Sequence, residues 1–430
     1  MALSILPTPY QLQSVATGQV FDDTGWLLEA PGEEQPGLIR AVYESRQLQP
    51  KGNSFGLYTF ADWLPVKRAL QGSSAPVTYK SEGLAKALGL TNLWITFSGY
   101  WPEKGVEMKT CTFKETEAYS VCSRMEKVSD KVMAVASAGN TARAFARVCS
   151  DNKIPLLLSV PEDNLDALWF DSPIDDCVKL IVSESGSDYF DAIHLSNLAI
   201  QLDKYYPEGG AKNVARRDGM ATTVLSAVTT IGEIPEYYFQ AIGSGTGAIA
   251  AWEANLRFLE DGRFGDRKMK LMVSQNDPFI PIYDAWHARS RAMLPLDDDL
   301  ARKQVEAINA KVLSNRKPPY SLAGGLYDAL LDSDGDVLIA TNEQARIANQ
   351  LFKDTEGNDL RPAAAIGLAS LMNAVEDGVV EKDALIMMNI TGGGEEKFKA
   401  EKVLYTLEPS LKFSIDPDAD EVKAKLEDLF

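Results

Sequence analysis

Apolar runs of strand length alternate with helical stretches along the chain from residue 93 onward, and this alternation constrains the fold more than any other feature. LWITF (93–97), VMAVAS (132–137), PLLLSV (155–160) and CVKLIV (177–182) carry few or no charges. Helical patterns follow at 113–127, 140–152 and 189–204, with a short one near Leu165. A second set begins near Gly219, with a helix through ATTVLSAVTTIGE (221–233), the strand YYFQAI (237–242) and the helix AIAAWEANLRFLE (248–260). KLMVSQ (270–275), VLIAT (337–341) and ALIMMN (384–389) read as further strands. Strands apolar on both faces belong in parallel sheets covered by their crossover helices. The expected class is therefore α/β with open parallel sheets.

The remaining segments are less regular. Residues 1–71 are rich in Pro, Gly and aromatics and read as an arm of limited regular structure, with strand-like pieces in GWLLEA and FGLYTF. Residues 281–319 are polar and irregular. DSDGDV (332–337) reads as a turn before a strand, because its glycine falls one position too early for a calcium loop and the closing glutamate is missing. The N-terminus lacks the basic start and long apolar run of a leader, and no run approaches the ~20 apolar residues of a membrane helix.

Composition excludes several kinds of chemistry. The net charge of −18 argues against a nucleic-acid surface, and any anionic substrate would need a local basic pocket. There are two histidines, His194 and His287, which leaves no room for a multi-histidine metal site and little for a histidine-based triad. No metal site is expected. The four cysteines show neither CxxC nor zinc-ligand spacing, which fits reduced thiols and a cytoplasmic protein. Cys111 is read as a packing residue.

Four short motifs carry candidate chemistry. Lys114 lies in TFKE at a helix start, where a partly buried amine becomes a nucleophile. SAGNT (137–141) joins an apolar strand to a helix. It can be a helix cap, or it can clamp a carboxylate through Ser137, Gly139 and Thr141 while Asn140 offers a neutral amide. GSGTG, comprising Gly243, Ser244, Gly245, Thr246 and Gly247, also joins strand to helix and suits either a phosphate cradle or a tight structural turn. TGGG begins with Thr391, a hydroxyl at a strand end that a flat ring could approach closely.

The order of these motifs resembles the threonine synthase branch of the fold-type II pyridoxal 5'-phosphate enzymes. That family's SFKDR, STGNT, GSGTG and LTGHG are similar to TFKET, SAGNT, GSGTG and ITGGG here. NPHRLEGQKT resembles NVARRDGMAT, so Arg216 falls on the family's substrate-phosphate arginine. EPASAAGVAGLL resembles RPAAAIGLASLM (361–372), and LQGSSAPV (70–77) looks like the family's entry segment. The likeness spans about 70–395. It departs at Glu115 and Thr116 after the lysine, at Gly393 in place of histidine, and in a longer stretch before the lysine.

The resemblance implies two open parallel-sheet α/β domains with pyridoxal 5'-phosphate in the cleft between them. Residues 1–113 would form the arm and the first part of the large domain, 114–216 the small domain and 217–430 the rest of the large domain. Lys114 would bind the cofactor covalently and act as general base. Asn140 would hold the ring hydroxyl, the residues from Gly243 to Gly247 the phosphate, and Thr391 the ring nitrogen. The departures imply a branch with a different reaction: replacement of the phosphate of O-phospho-L-serine by sulfite, giving L-cysteate for coenzyme M synthesis. The alternatives are water addition to O-phosphohomoserine, as in threonine synthase itself, and a catalytically inactive binding protein of the same fold. The expected partners are small anionic substrates, with no nucleic acid or membrane, in a homo-oligomer.

Overall fold

The computed structural model describes residues 5, 7–127 and 129–430. Residues 1–4 and 6, in the stretch read as free of a leader, lie outside the described residues. Among those described, no helix is long and apolar enough to cross a membrane.

Two sheets organise the molecule. The larger has the strand order Asp336–Ala340, Lys270–Asn276, Tyr237–Ala241, Ile386–Ile390, Leu93–Phe97, Val77–Lys80. All neighbours run parallel except the last pair. The smaller has the order Tyr205–Pro207, Val132–Ala136, Leu156–Pro161, Val178–Ser183, Leu411–Phe413 and is wholly parallel. Leu156–Pro161 is buried at every position, as a central strand covered on both faces must be. Between the sheets, the helix Lys114–Ser123 packs on Asn140–Asn152 and on Val214–Ile231. The last of these is capped by the Asn213 side chain, which accepts from Ala215 N, and stops at Gly232, whose φ of 89° ends the helix.

Three strand ends determine where chemistry can occur. Val132–Ala136 runs into SAGNT, Tyr237–Ala241 into GSGTG and Ile386–Ile390 into TGGG. All three loops thus lie beyond the C-terminal ends of parallel strands, where ligands of open α/β sheets bind. Tyr237–Ala241 and Ile386–Ile390 are neighbours, so the second and third loops lie side by side.

Several expectations are corrected. The N-terminal arm holds a three-stranded antiparallel sheet, with Tyr10–Ser14 between Val20–Phe21 and Ile39–Tyr43. GWLLEA forms no strand, and FGLYTF falls in the 3-10 segment Asn53–Trp63. Residues 217–430 do not all join the large domain. Leu411–Phe413 extends the smaller sheet, and helix Ala419–Glu427 buries Val422 and Leu426 beside Leu195 and Tyr205. That addition covers a sheet edge left open by Val178–Ser183. Asp332 ends a helix and Asp336 starts a strand, so DSDGDV is the turn expected.

Candidate active site

The lysine segment is stitched to the TGGG loop by its backbone. Phe113 N donates to Thr391 O at 2.9 Å, Gly393 N to Cys111 O at 3.1 Å, and Arg361 N to Gly392 O at 3.0 Å. Cys111 adopts a φ of 54° at this join, and burial pushes its thiol up to about 12, so it packs rather than reacts. The close approach explains the missing histidine. A Cβ on Gly393 would meet Asp359 O and come within 2.8 Å of the Phe97 ring.

Lys114 opens the helix Lys114–Ser123, and its Nζ donates to Glu117 Oε2 at 3.0 Å. Burial, helped by the Arg216 guanidinium, holds its pKa below the ordinary lysine range although Glu117 pulls the other way. The two departures after the lysine brace this turn. Glu115 Oε2 accepts from Thr110 N at 2.9 Å and Thr110 Oγ1 at 3.0 Å, and burial pushes its carboxyl up to about 7. Thr116 Oγ1 donates to Phe113 O at 2.8 Å.

Lys114, Asn140, the Gly243 to Gly247 loop and Thr391 line one small cavity. It shares Asn140, Val312, Arg361 and Ala363 as a common wall with a wider cleft of about 460 Å³. In the cradle, Gly245 sits at φ 79°, and a Cβ there would come within 2.6 Å of Leu326. A Cβ on Gly247 would lie 2.6 Å from Gln240 Nε2. The backbone can thus curl close, and the first turn of helix Thr246–Asp261 has N–H groups without intrahelical carbonyls. Thr391 is 6% exposed and offers a neutral hydroxyl.

Asn140 is held by two arginines. Its Oδ1 accepts from Arg361 Nη2 at 3.0 Å and from Arg143 Nη2 at 3.3 Å. These donors fix the amide orientation and leave Nδ2 to donate to a phenolic oxygen. The rest of the SAGNT loop supports the turn. Ser137 Oγ accepts from Gly139 N and Ala142 N, both at 3.0 Å, so its hydroxyl is a cap rather than an open contact. Gly139 takes a φ of 135°, with Ala167 Cβ 2.9 Å from where its own Cβ would sit. Thr141 is buried in the first turn, where its N–H and that of Asn140 lack helical partners.

Arg216 comes to the lysine cluster already paired. Its Nη2 lies 2.6 Å from Glu117 Oε1 and 2.9 Å from Glu208 Oε2, and its Nε donates to Glu208 Oε1 at 3.0 Å. Burial pushes Glu208 up to about 7 against the pull of Arg216. Arg216 is expected to offer an open pair of donors to a substrate phosphate, but in this structure two buried carboxylates hold its fork, and among the described residues only Nη1 is without a partner.

Sequence reasoning passed over Arg361, Arg143, Glu117 and Glu208. For Arg361 a signal existed: it stands where the resembling motif EPASAAG has a glutamate. Glu117 and Arg143 stand three residues after Lys114 and Asn140, on the same helix face, which was a local signal; Glu208 stands eight residues before Arg216 with no periodicity to mark it.

The cavity fits pyridoxal 5'-phosphate on its own chemistry, with a buried amine, an oriented amide donor, a glycine cradle that side chains would fill, and a neutral hydroxyl. A family model described as pyridoxal-phosphate dependent enzyme matches residues 78–392. The chain is 46% identical over 395 residues to the cysteate synthase of Methanosarcina acetivorans, covering 92% of this chain and 94% of that one. It is 41% identical over 421 residues to the cysteate synthase of Methanospirillum hungatei, covering 98% of each. Maize serine racemase shares the fold, with a TM-score of 0.56 at 15% identity over 74% of this chain and 88% of that one. So does a threonine deaminase of Solanum lycopersicum, with a TM-score of 0.53 at 17% identity over 76% and 87%.

Proposed function

The chain belongs to the pyridoxal-phosphate dependent enzymes, and on that premise we propose that it converts O-phospho-L-serine and sulfite to L-cysteate and phosphate. The observation that carries this reading is the 41% identity to a cysteate synthase over 98% of both chains, which leaves no part of the site outside the likeness. At Cβ of the substrate, the C–O bond to phosphate breaks and a C–S bond forms to the sulfur lone pair. The proton taken from Cα is returned there, so the product keeps its α-hydrogen.

When bound, the cofactor supplies an aldehyde that condenses with amines and a ring that takes up electron density from Cα. The chain's own residues do the remainder. Lys114 Nζ, with its lowered pKa, takes the Cα proton, and Glu117 Oε2 at 3.0 Å steadies the resulting ammonium until the proton returns. Asn140 Nδ2 would donate to the ring hydroxyl, and the N–H groups of Gly243 to Gly247 would hold the phosphate of the cofactor. Thr391 would offer the ring nitrogen a neutral hydroxyl rather than a carboxylate. The N–H groups of Asn140 and Thr141 meet the substrate α-carboxylate.

The test is a paired assay on the purified holoenzyme. Cysteate and inorganic phosphate should form in equal amounts from phosphoserine and sulfite, with no threonine from phosphohomoserine. Threonine formation without cysteate formation overturns the reading in favour of threonine synthase chemistry, and no turnover of either substrate overturns it in favour of a binding protein.

A further inference from the structure

The charges around the cleft are unevenly divided. On the lysine side, Lys114 and Arg216 face Glu117 and Glu208, and the four formal charges cancel. On the opposite side, Arg143, Arg361 and Lys399 gather around Asn140 and Trp169. Glu395 is the one carboxylate ion-paired to this group among the described residues, and Arg361 and Lys399 share it. Glu115 also acts on Arg143, which reaches it through Thr110, and counted at full charge beside Glu395 it leaves one of the three cations in excess. Asp166 lines the same cleft and, with Asp359, acts on Arg361, but neither makes an ion pair with these cations among the described residues. Against the one carboxylate ion-paired to them, the three cations are in excess.

Arg143 sharpens the point. It is 0% exposed, has no carboxylate within ion-pair distance among the described residues, and stacks 4.1 Å over the Trp169 ring. The Nε atoms of both Arg143 and Arg361 are buried without a hydrogen-bond partner. Buried guanidiniums in excess over carboxylates are costly unless an anion completes them. Arg361 lies in the wall common to the cofactor cavity and the wide cleft, and Lys399 lines that cleft.

Building on the proposed reaction, we infer that Arg361, with Arg143 behind it and Lys399 beside it, forms the subsite for the oxyanion carried at Cβ. That anion is the arriving sulfite, the sulfonate it becomes, and before them the departing phosphate. These groups occupy one position in turn, so one cationic pocket serves all three. Arg216, neutralised by Glu117 and Glu208, is a structural counter-ion to those two carboxylates. A glutamate at position 361, as in the resembling motif, would repel sulfite, so the reversal of charge sets the preference for sulfite over water as the incoming group.

The test uses the holoenzyme with three probes: sulfite KM, phosphoserine KM, and perturbation of the cofactor's visible absorbance by unreactive sulfate. R361Q should raise the sulfite KM about tenfold or more and the phosphoserine KM by a smaller factor, because that substrate keeps its α-carboxylate and amine contacts. Sulfate should perturb the wild-type spectrum at concentrations that leave R361Q unchanged. R361K keeps a cation and a donor for Asn140 and should recover part of the sulfite KM, since an ammonium lacks the planar fork. A sulfite KM unchanged in R361Q, with sulfate binding intact, overturns the subsite. A wild-type enzyme that makes no cysteate, yet binds sulfate in a way that R361Q abolishes, sinks the proposed reaction and leaves the subsite standing.

Discussion

Replacing Arg216 by alanine tests whether the arginine serves substrate or structure. In the native cluster it faces Glu117, which is 0% exposed, and Glu208, which is 5% exposed. Removing one partner of a buried pair costs about 3–5 kcal/mol, because it strands charge in a medium that solvates it poorly. Unfolding entropy of about 2.1 cal/mol/K per residue, scaled to this chain, makes 1 kcal/mol about 1 °C in Tm, so the loss is about 3–5 °C. The sign with pH follows from Glu208. Its folded pKa is about 7 even with Arg216 present, above the unfolded value, so its contribution to stability is present at low pH and lost as pH rises through the folded pKa. Without Arg216 that pKa rises further. The deficit of R216A should therefore be small near pH 5, where Glu208 is protonated, and largest near pH 8.

The assay is thermal unfolding of the holoenzyme and of R216A at both pH values, with R216A/E208Q as control. The glutamine keeps the shape without the charge and should recover much of the pH 8 deficit. A deficit equal at both pH values and unrelieved by E208Q would refute the counter-ion argument. So would a fully stable R216A whose only defect is a raised phosphoserine KM.

Three other outcomes follow from the same geometry. K114A should lose covalent cofactor attachment and fall in turnover by several orders of magnitude, and borohydride followed by peptide mapping should fix the cofactor to Lys114 in the parent protein alone. T391D puts a carboxylate where a neutral hydroxyl lines the cavity; the cofactor's visible band should shift and replacement should slow, and an unchanged spectrum and rate would remove Thr391 from the site. E115Q should flatten the fall in stability that wild-type shows as pH rises from about 4.5 through about 7, because a raised folded pKa stabilises only while the proton is on. At ~1.4 kcal/mol per unit that slope is worth at most about 3 kcal/mol, and chemical denaturation at pH 5 and pH 8 measures it.

Much of this site was legible because its parts are local. A loop that curls backbone N–H groups around a phosphate needs glycines at fixed offsets after a strand, so GSGTG reveals itself in five residues. The asparagine likewise sits at a strand–helix junction that an apolar run announces, and the lysine opens a helix. What was not legible is what the fold assembles from afar. Glu117, Glu208 and Arg216 come from two helices and a strand end, and no periodicity links them. The N-terminal strands are five residues or shorter and Leu411–Phe413 is three residues long, so each is too brief a run to stand above its surroundings.

The departures from the resembling motifs fall into two physical kinds. Gly393, Glu115 and Thr116 are accommodations. The first leaves room for Asp359 and Phe97, and the others tie the lysine turn to Thr110 and Phe113. None of them meets the space where an anion would react. Arg361 is different in kind, since it adds a partly buried cation in the wall common to the cofactor cavity and the cleft without adding a carboxylate of its own. A chain of net charge −18 repels dianions at a distance, so a local cationic excess must overcome that field where the C–S bond forms. The lysine side supplies no such excess, because Glu117 and Glu208 cancel it. Substrate choice in this molecule therefore turns on one side of the cleft, and proton transfer on the other.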